Sequence, residues 1–519
     1  MSPTLVIEGG VVADGTGGEP AAADVVLCGD TVSDLVPLAA RPAGGYDART
    51  LDASGRVVAP GFVDLHSHSD LSLLAYPGNA SRVTQGITTE VVGNCGMSPA
   101  PGNGDRHGLA EVIATIDVVP GRPWQWHDVA SWLAVLDGTP TATNVAALVG
   151  HSAARFAVAG MRGGPLRAHE RARLVRLLED AIEAGCLGVS LGLMYPPGEH
   201  ADTAELVAVA GVAARVDALL TAHLRDYRGS QLRAAAAEVV DVAESTGSRV
   251  QLSHLRAVGE SADFTRVVDD LGQRRQVVDL AADAYPYTAG HTTLTQLLPR
   301  ELRARGPRAV AAACHAEPTC TARALASCGY PAEDITVMKA TATPDVVGRS
   351  AAAADGAAGP WLWLVELLAA NDGLVDVAVV SGRWPDVDHV LSMPWVSVAS
   401  DGTALESEHT SSVPHPRSWG TFPAAYRRMR ALGVPIGEAI RRMSAAPAAR
   451  VGLNRVLQRG AVADIVVLDE AALDSQATYP RPAVPAVGVD HVLVRGTAVL
   501  SHGRRTTARP GRLIRKDAA

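Results

Sequence analysis

Lysine is almost missing from this chain: Lys339 and Lys516 are the only two in 519 residues. The 46 basic residues are therefore nearly all arginine, scattered among 55 acidic ones for a net charge of -9. No basic stripe results, which argues against a nucleic-acid partner. Cysteine is scarce as well. Cys28, Cys95, Cys186, Cys314, Cys320 and Cys328 include no CxxC pair, so no disulfide framework is indicated. Aromatic residues make up 4% of the chain against 47% hydrophobic residues, leaving Ala, Val and Leu to fill the interior. Long apolar runs are missing too: nothing reaches the roughly 18 residues a membrane span needs, and the opening MSPTLVIEGG has no basic segment leading into an apolar one. The expectation is a soluble, cytoplasmic protein without a membrane partner. Its length exceeds one ordinary core and points to a large domain with a smaller one.

What is present starts with residues 60 to 70, PGFVDLHSHSD. Val57, Val58, Phe62, Val63 and Leu65 mark a strand with a Pro60-Gly61 bend. His66 and His68, two apart, then share one face. Two imidazoles on one face can close on a metal ion, although an isolated His-x-His also occurs as a solvated strand end. Asp64 and Asp70 bracket the pair, placed either to orient ligand histidines or to solvate the strand terminus.

Short strands separated by turns are predicted at 4 to 8, 11 to 14, 24 to 28, 31 to 35 and 51 to 58, and again at 464 to 468, 489 to 494 and 498 to 501. Neither set can bury a face alone, so residues 1 to 58 and 456 to 519 are expected to pair into one small β-sandwich. Between them, residues 59 to 455 alternate apolar strands with Ala/Leu/Arg-rich helices. Strands are predicted at 57 to 66, 87 to 93, 144 to 150, 186 to 193, 218 to 224, 249 to 255, 276 to 285 and 395 to 400. Predicted helices include 168 to 184, 203 to 215, 231 to 246, 262 to 273 and 435 to 444. Eight strands alternating with helices indicate an α/β fold, a (β/α)8 TIM-like barrel. Residues 300 to 390 are too long for a loop and are expected to be an inserted, mostly helical subdomain, a lid over the site.

A barrel of this kind carries its chemistry at the C-terminal ends of the strands. Those ends hold His66 and His68, Cys95 in GNCG, His151, Tyr195 in GLMYPPG, His223 in TAHLRD, His254 in LSHLR, Tyr285 and Tyr287 in YPYTAGH, and Asp401 in ASDG. A His or Asp at one strand end is ordinary. Four His, one Cys and one Asp at the same end of consecutive strands point to a metal site. His151 reads as structural, and His107, His127, His200, His315, His389, His409 and His415 read as loop or surface residues.

This constellation resembles the amidohydrolase superfamily over nearly the whole chain. Within it, TTEVVGNCG, GVSLGLMYPPG, QLSHLR, DAYPYTAG, SDG and PHPRSWGTF resemble the N-acyl-D-amino acid deacylase (D-aminoacylase) family. Many amidohydrolases bridge two metals with a carbamylated lysine on the fourth strand. Here that position falls near residues 190 to 193 and holds none, which leaves Cys95, otherwise a buried structural cysteine, as the candidate anionic ligand.

The resemblance implies a tightly bound zinc on Cys95, His223 and His254, and a second, weaker metal position on His66, His68 and Asp401. It also implies Asp401 as general base and acid, and Arg417 as the arginine that holds the substrate carboxylate, a residue that could equally form a surface ion pair. The Tyr195 hydroxyl is expected to stabilise the oxyanion. Two positions depart from the family: Arg256 stands where lysine is usual, and His291 stands where a small hydroxyl residue is usual, lining the pocket or facing solvent. Arg256, Tyr285 and His291 complete the expected substrate-binding set. The implied activity is zinc-dependent hydrolysis of linear N-acyl-D-amino acids, small molecules whose D configuration nothing in spacing or composition reports. The alternatives are a cyclic-amide hydrolase of dihydroorotase or hydantoinase type, which the missing strand-four lysine disfavours, and an inactive metal-binding scaffold, which has no need of Asp401.

Overall fold

The computed structural model describes residues 3–113, 124, 126–259, 263–354, 359–406 and 414–516. Its centre is a parallel barrel of eight strands: β1 (Phe62–Asp64), β2 (Ile87–Val92), β3 (Asn144–Gly150), β4 (Gly188–Gly192), β5 (Leu219–His223), β6 (Arg249–Leu252), β7 (Leu280–Ala284) and β8 (Val396–Val398). They hydrogen-bond in chain order from β1 to β8. All eight coincide with strands expected from the sequence, because strands buried on both faces read as continuous apolar runs; β3, NVAALVG, is buried at every position. Helices Ala168–Glu183, Thr203–Arg215, Gly229–Thr246 and Phe264–Arg274 follow β3 to β6 and cover the outside.

The circle closes between β8 and β1 just beyond the strands themselves. Asp401 N donates to His66 O and His68 N to Gly402 O, both at 2.8 Å. Behind this join, the buried Asp64 carboxylate accepts from Ser400 N (2.9 Å) and Ser400 Oγ (2.5 Å), and the fully buried Arg82 donates to Ser400 Oγ (2.8 Å).

The run expected as one strand from 57 to 66 is two. Val57–Pro60 belongs to a second sheet, and the chain bends at Gly61 into β1. Glycine is required there, since a Cβ on Gly61 would lie 2.2 Å from Thr88. The second sheet has nine strands drawn from both ends of the chain, with Val57–Pro60 pairing Leu5–Val12 on one side and Ile465–Leu468 on the other. Ile7, Val25 and Leu27 from the first segment share a hydrophobic cluster with Ile465, Val467 and Leu493 from the last. The two ends thus bury one another's apolar faces.

Between β7 and β8 the insertion has more helix than strand, and it also holds a small sheet that the sequence pattern does not indicate. Strands Ala289–Thr293, Ile335–Ala340 and Val375–Val380 form an antiparallel sheet with Val375–Val380 in the middle. Helices Pro307–Ala316, Pro318–Ala326 and Gly359–Ala370 pack on it through a separate core that includes Val310, Leu325, Val337, Leu364 and Val377. The sheet escapes a local reading because its strands pair across 35 and more residues, a relation that local periodicity does not report. Helix Trp384–Ser392, inside the expected insertion, packs on β7 and on Phe264–Arg274 and belongs to the barrel wall. Among the described residues, no helix is long and apolar enough to cross a membrane.

Candidate metal centre and active site

The expected ligands converge at the C-terminal mouth of the barrel. Cys95 Sγ lies 3.3 Å from His66 Nε2, 3.4 Å from His223 Nδ1 and 3.6 Å from His254 Nε2. Two donor triads share this sulfur, Cys95 with His223 and His254, and Cys95 with His66 and His68. Asp401 stands beside the second triad, its Oδ1 at 3.5 Å from His66 Nε2 and 3.1 Å from His68 Nε2.

Local backbone geometry delivers these side chains. Cys95, His254 and Asp401 all adopt left-handed φ, of +53°, +34° and +52°. Such angles cost a non-glycine residue about 1–3 kcal/mol each and persist only where the surroundings impose them. For Cys95 the surroundings are visible. Ser190 Oγ donates to Gly93 O (2.5 Å) and accepts from Gly96 N (3.0 Å), clamping the turn on both sides of the cysteine. Gly192 lets that turn approach β4, because a Cβ there would lie 2.0 Å from Cys95 O. The β4 segment, which has no lysine, therefore holds the serine that fixes the cysteine.

Electrostatics fit the same arrangement. Burial drives the His68 imidazole down to about 4 and the His223 imidazole to about 3, and burial followed by the His223 charge takes His254 well below the ordinary range. Neutral rings keep nitrogen lone pairs free for a cation. Burial also pushes the Cys95 thiol up, so a metal ion is what would convert it to thiolate. Burial opposes ionisation of Asp401, but the Arg417 guanidinium, at 2.6 Å from Oδ2, and the His68 imidazole, with Nε2 at 3.1 Å from Oδ1, outweigh it and hold the carboxyl well below its usual value. One soft sulfur and two imidazole nitrogens within 4.8 Å of one another are the donor set of a zinc site that leaves a coordination position open.

Above the ligands opens a cavity of about 880 Å³, lined on the barrel side by Tyr195, Arg256, Tyr285 and Arg417 and on the inserted side by His291, Met338 and Lys339. The Tyr195 ring packs against His223 with centroids 4.8 Å apart, and burial raises its hydroxyl pKa. Arg256 donates to Tyr285 OH (2.6 Å) and to Ser381 Oγ, while the Arg417 guanidinium lies 5.3 Å from the centre of the Tyr285 ring. Both arginines of the expected substrate-binding set thus meet at one tyrosine, while His291 lines the cavity from the inserted side.

A family model described as the amidohydrolase family matches residues 49–500. The chain belongs to the amidohydrolase family. Among its relatives, an N-acyl-D-glutamate deacylase of Alcaligenes xylosoxydans xylosoxydans is 34% identical over 99% of this chain and 97% of its own length. A D-aminoacylase of the same organism is 31% identical over 99% and 98%. The crystal structure of an N-acyl-D-glutamate deacylase from Bordetella bronchiseptica, complexed with zinc and a phosphonate mimic of the tetrahedral intermediate, matches with a TM-score of 0.83 at 30% identity, covering 99% of this chain and all of that one.

Three residues of this amidohydrolase's site escaped the sequence analysis. Asp283 on β7 is buried; its Oδ1 accepts from His254 N (2.6 Å) and faces His66 Nδ1 (3.3 Å), while Oδ2 accepts from Gln251 (3.1 Å). That contact orients the His66 ring, with Nδ1 towards the carboxylate and Nε2 towards the sulfur. Tyr227 packs edge-on against His223, with its hydroxyl held between Leu224 N and Ser253 O. His415, expected at the surface, is 1% exposed; Nδ1 accepts from Arg417 N (3.0 Å) and Nε2 faces Ala289 O (3.2 Å). Its place between two prolines resembles a loop, and only packing against Tyr287, His291 and Tyr479 reveals otherwise. His107, His127 and His315 are exposed, and His389 pairs with Asp269. His200 is half-buried, and His409 lies outside the described residues. His151 is buried with Nε2 at 2.7 Å from Glu205, in keeping with a structural role.

Proposed function

We propose that the protein is a zinc-dependent hydrolase of the amide bond of N-acyl-D-amino acids, releasing a carboxylate and a free D-amino acid. The observation that carries this function is the convergence of Cys95, His223 and His254 with an ionised Asp401 at the floor of a large cavity, in a chain about one third identical to deacylases over its full length. Cys95, His223 and His254 hold the tight zinc, and His66 and His68 with Asp401 form a second, weaker position. Bound there, zinc polarises the amide carbonyl and lowers the pKa of water.

Asp401, kept ionised by Arg417, accepts the proton of the attacking water and returns it to the leaving nitrogen. The Tyr195 hydroxyl, held against His223, donates to the oxygen that gains charge. Arg256 at the Tyr285 hydroxyl and Arg417 at its ring present guanidinium nitrogens suited to a carboxylate on the substrate. His291 and Tyr285 shape the wall beside it. The barrel, about 59–455, does this chemistry. The insertion at about 300–390 supplies part of the specificity, and the segments 1–58 and 456–519 support the barrel. A cytoplasmic setting accords with six cysteines that are all free, and small N-acylated amino acids are the partners, with no nucleic acid or membrane.

The test is release of free amine from paired N-acetyl-D- and N-acetyl-L-amino acids by zinc-loaded wild type and Asp401→Ala. Turnover of D substrates by the wild type, falling about 10²–10⁴-fold in the variant, is expected. Stoichiometric zinc with no hydrolysis of either enantiomer would overturn the assignment.

A further inference from the structure

The inserted sheet presents a polar face to the cavity. Lys339 stands opposite Asp376 in the pairing of the outer strand Ile335–Ala340 with Val375–Val380. Asp376 in turn stands opposite Thr293 in the pairing with Ala289–Thr293. Opposed residues of antiparallel strands share a face, and His291, two residues before Thr293, shares it too. All of Lys339, Asp376 and His291 line the cavity, while Val375, Val377, Ile335 and Val337 turn into the insertion's own core.

These three side chains are poorly matched to one another. Among the described residues, the closest ionic contact of the group is His291 Nε2 to Asp376 Oδ2 at 3.9 Å, too long for a hydrogen bond, and His291 Nε2 has no hydrogen-bond partner. Asp376 is 9% exposed, and burial pushes its carboxyl up to about 6 against the pull of the Lys339 charge. Burial, then the charge of Arg417, takes His291 down to about 3, leaving it neutral. A buried polar group without a partner costs about 1–3 kcal/mol. On this wall His291 Nε2 is such a group, and beside it Lys339 and Asp376 face the cavity on paired strands, so a ligand can supply the missing partner.

Their position says which part of the substrate they meet. His291 stacks on His415 with centroids 6.5 Å apart, and His415 accepts the backbone N–H of Arg417. The wall therefore adjoins the arginine assigned to the substrate carboxylate. In an N-acyl amino acid the side chain branches from the carbon that bears that carboxylate, whereas the acyl group leaves on the far side of the nitrogen.

We infer that His291, Lys339 and Asp376 form the subsite for the amino-acid side chain, and that it takes an uncharged carboxamide, as in D-glutamine or D-asparagine. The inference rests on the deacylase function proposed above. A carboxamide offers an acceptor to Lys339 and a donor to Asp376. A carboxylate sets like charge against Asp376, an ammonium group does so against Lys339, and an apolar chain leaves all three groups unpaired.

The experiment compares kcat/KM of the zinc-loaded full chain for N-acetyl-D-glutamine, N-acetyl-D-glutamate and N-acetyl-D-methionine, which are similar in size. The glutamine derivative is expected to exceed each of the others by about tenfold or more. Lys339→Met and Asp376→Asn should each reduce the glutamine-to-methionine ratio by about tenfold. A purely structural defect lowers both rates and leaves that ratio where it was. A wild type that prefers methionine or glutamate, or a ratio unmoved in both variants, overturns the carboxamide subsite while the deacylase function stands. Turnover of none of the three, with zinc bound, overturns the deacylase function itself.

Discussion

Asp283→Asn separates the charge behind the metal centre from the packing around it. Asp283 accepts three contacts, from His254 N, His66 Nδ1 and Gln251 Nε2, at 2.6, 3.3 and 3.1 Å. In the variant the amide oxygen can keep the first two. The new NH2 then faces Gln251, whose Oε1 has no hydrogen-bond partner in the wild type, so a flip of the Gln251 amide converts a clash of donors into a hydrogen bond. Volume and hydrogen-bond count are conserved, and the cost to folding is expected to stay within about 1 kcal/mol. What is lost is the negative charge that orients His66 and raises its basicity as a ligand. Outer partners of this kind contribute about 10–100-fold in metal affinity or activity, equivalent to about 1.4–2.7 kcal/mol. Zinc affinity by competition with a chelating dye, kcat on an N-acetyl-D-amino acid and the melting temperature together decide the matter. The expected pattern is affinity and kcat down 10–100-fold with melting nearly unchanged. Zinc affinity and kcat within twofold of wild type would refute the assignment of Asp283 to the centre. A parallel loss of melting temperature would show its contribution to be structural.

Gly192→Ala should displace the Cys95 turn, since the added Cβ would sit 2.0 Å from Cys95 O. We expect about 1–3 kcal/mol of destabilisation and zinc below one equivalent per chain, read by thermal melting and metal analysis. Glu205 is buried, and burial resists its ionisation, yet His151 and Arg155 hold its carboxyl at about 2 against an ordinary 4.5. Because the folded value is the lower one, its contribution is fully present above pH 4.5 and fades as pH falls towards 2. The contribution is about 3 kcal/mol. Glu205→Gln should accordingly make the acid limb of stability, followed by urea unfolding at successive pH values, shallower by about that amount.

The barrel was legible because each of its strands is a short apolar run bounded by turn residues, a signal that is complete within eight residues. The convergence of the candidate ligands was legible for the same reason: once the strands are placed, His66, Cys95, His223, His254 and Asp401 all fall at one end. Asp283 was not, although it lies in a strand that was found. A lone Asp in LAADAY carries no local sign that it faces His66, 217 residues earlier. The inserted sheet was hidden more thoroughly. Its middle strand, VDVAVV, is bracketed by partners 289–293 and 335–340, and the intervening Ala-rich segments outweigh them in any local reading. His415 shows the converse case, a residue whose flanking prolines describe the backbone correctly while its burial depends on Tyr287 and Tyr479 arriving from elsewhere.

The barrel has one seam, and it is built from residues proposed for catalysis. Neighbouring strands elsewhere are stitched along their length, but β8 meets β1 through Asp401, Gly402, His66 and His68, the residues assigned to proton transfer and to the second metal position. A fluctuation that unzips the barrel there must also pull the proton acceptor away from the imidazoles. Closing the cylinder and completing the active site are therefore one event, and the Asp64–Arg82–Ser400 lock behind the seam stabilises both at once.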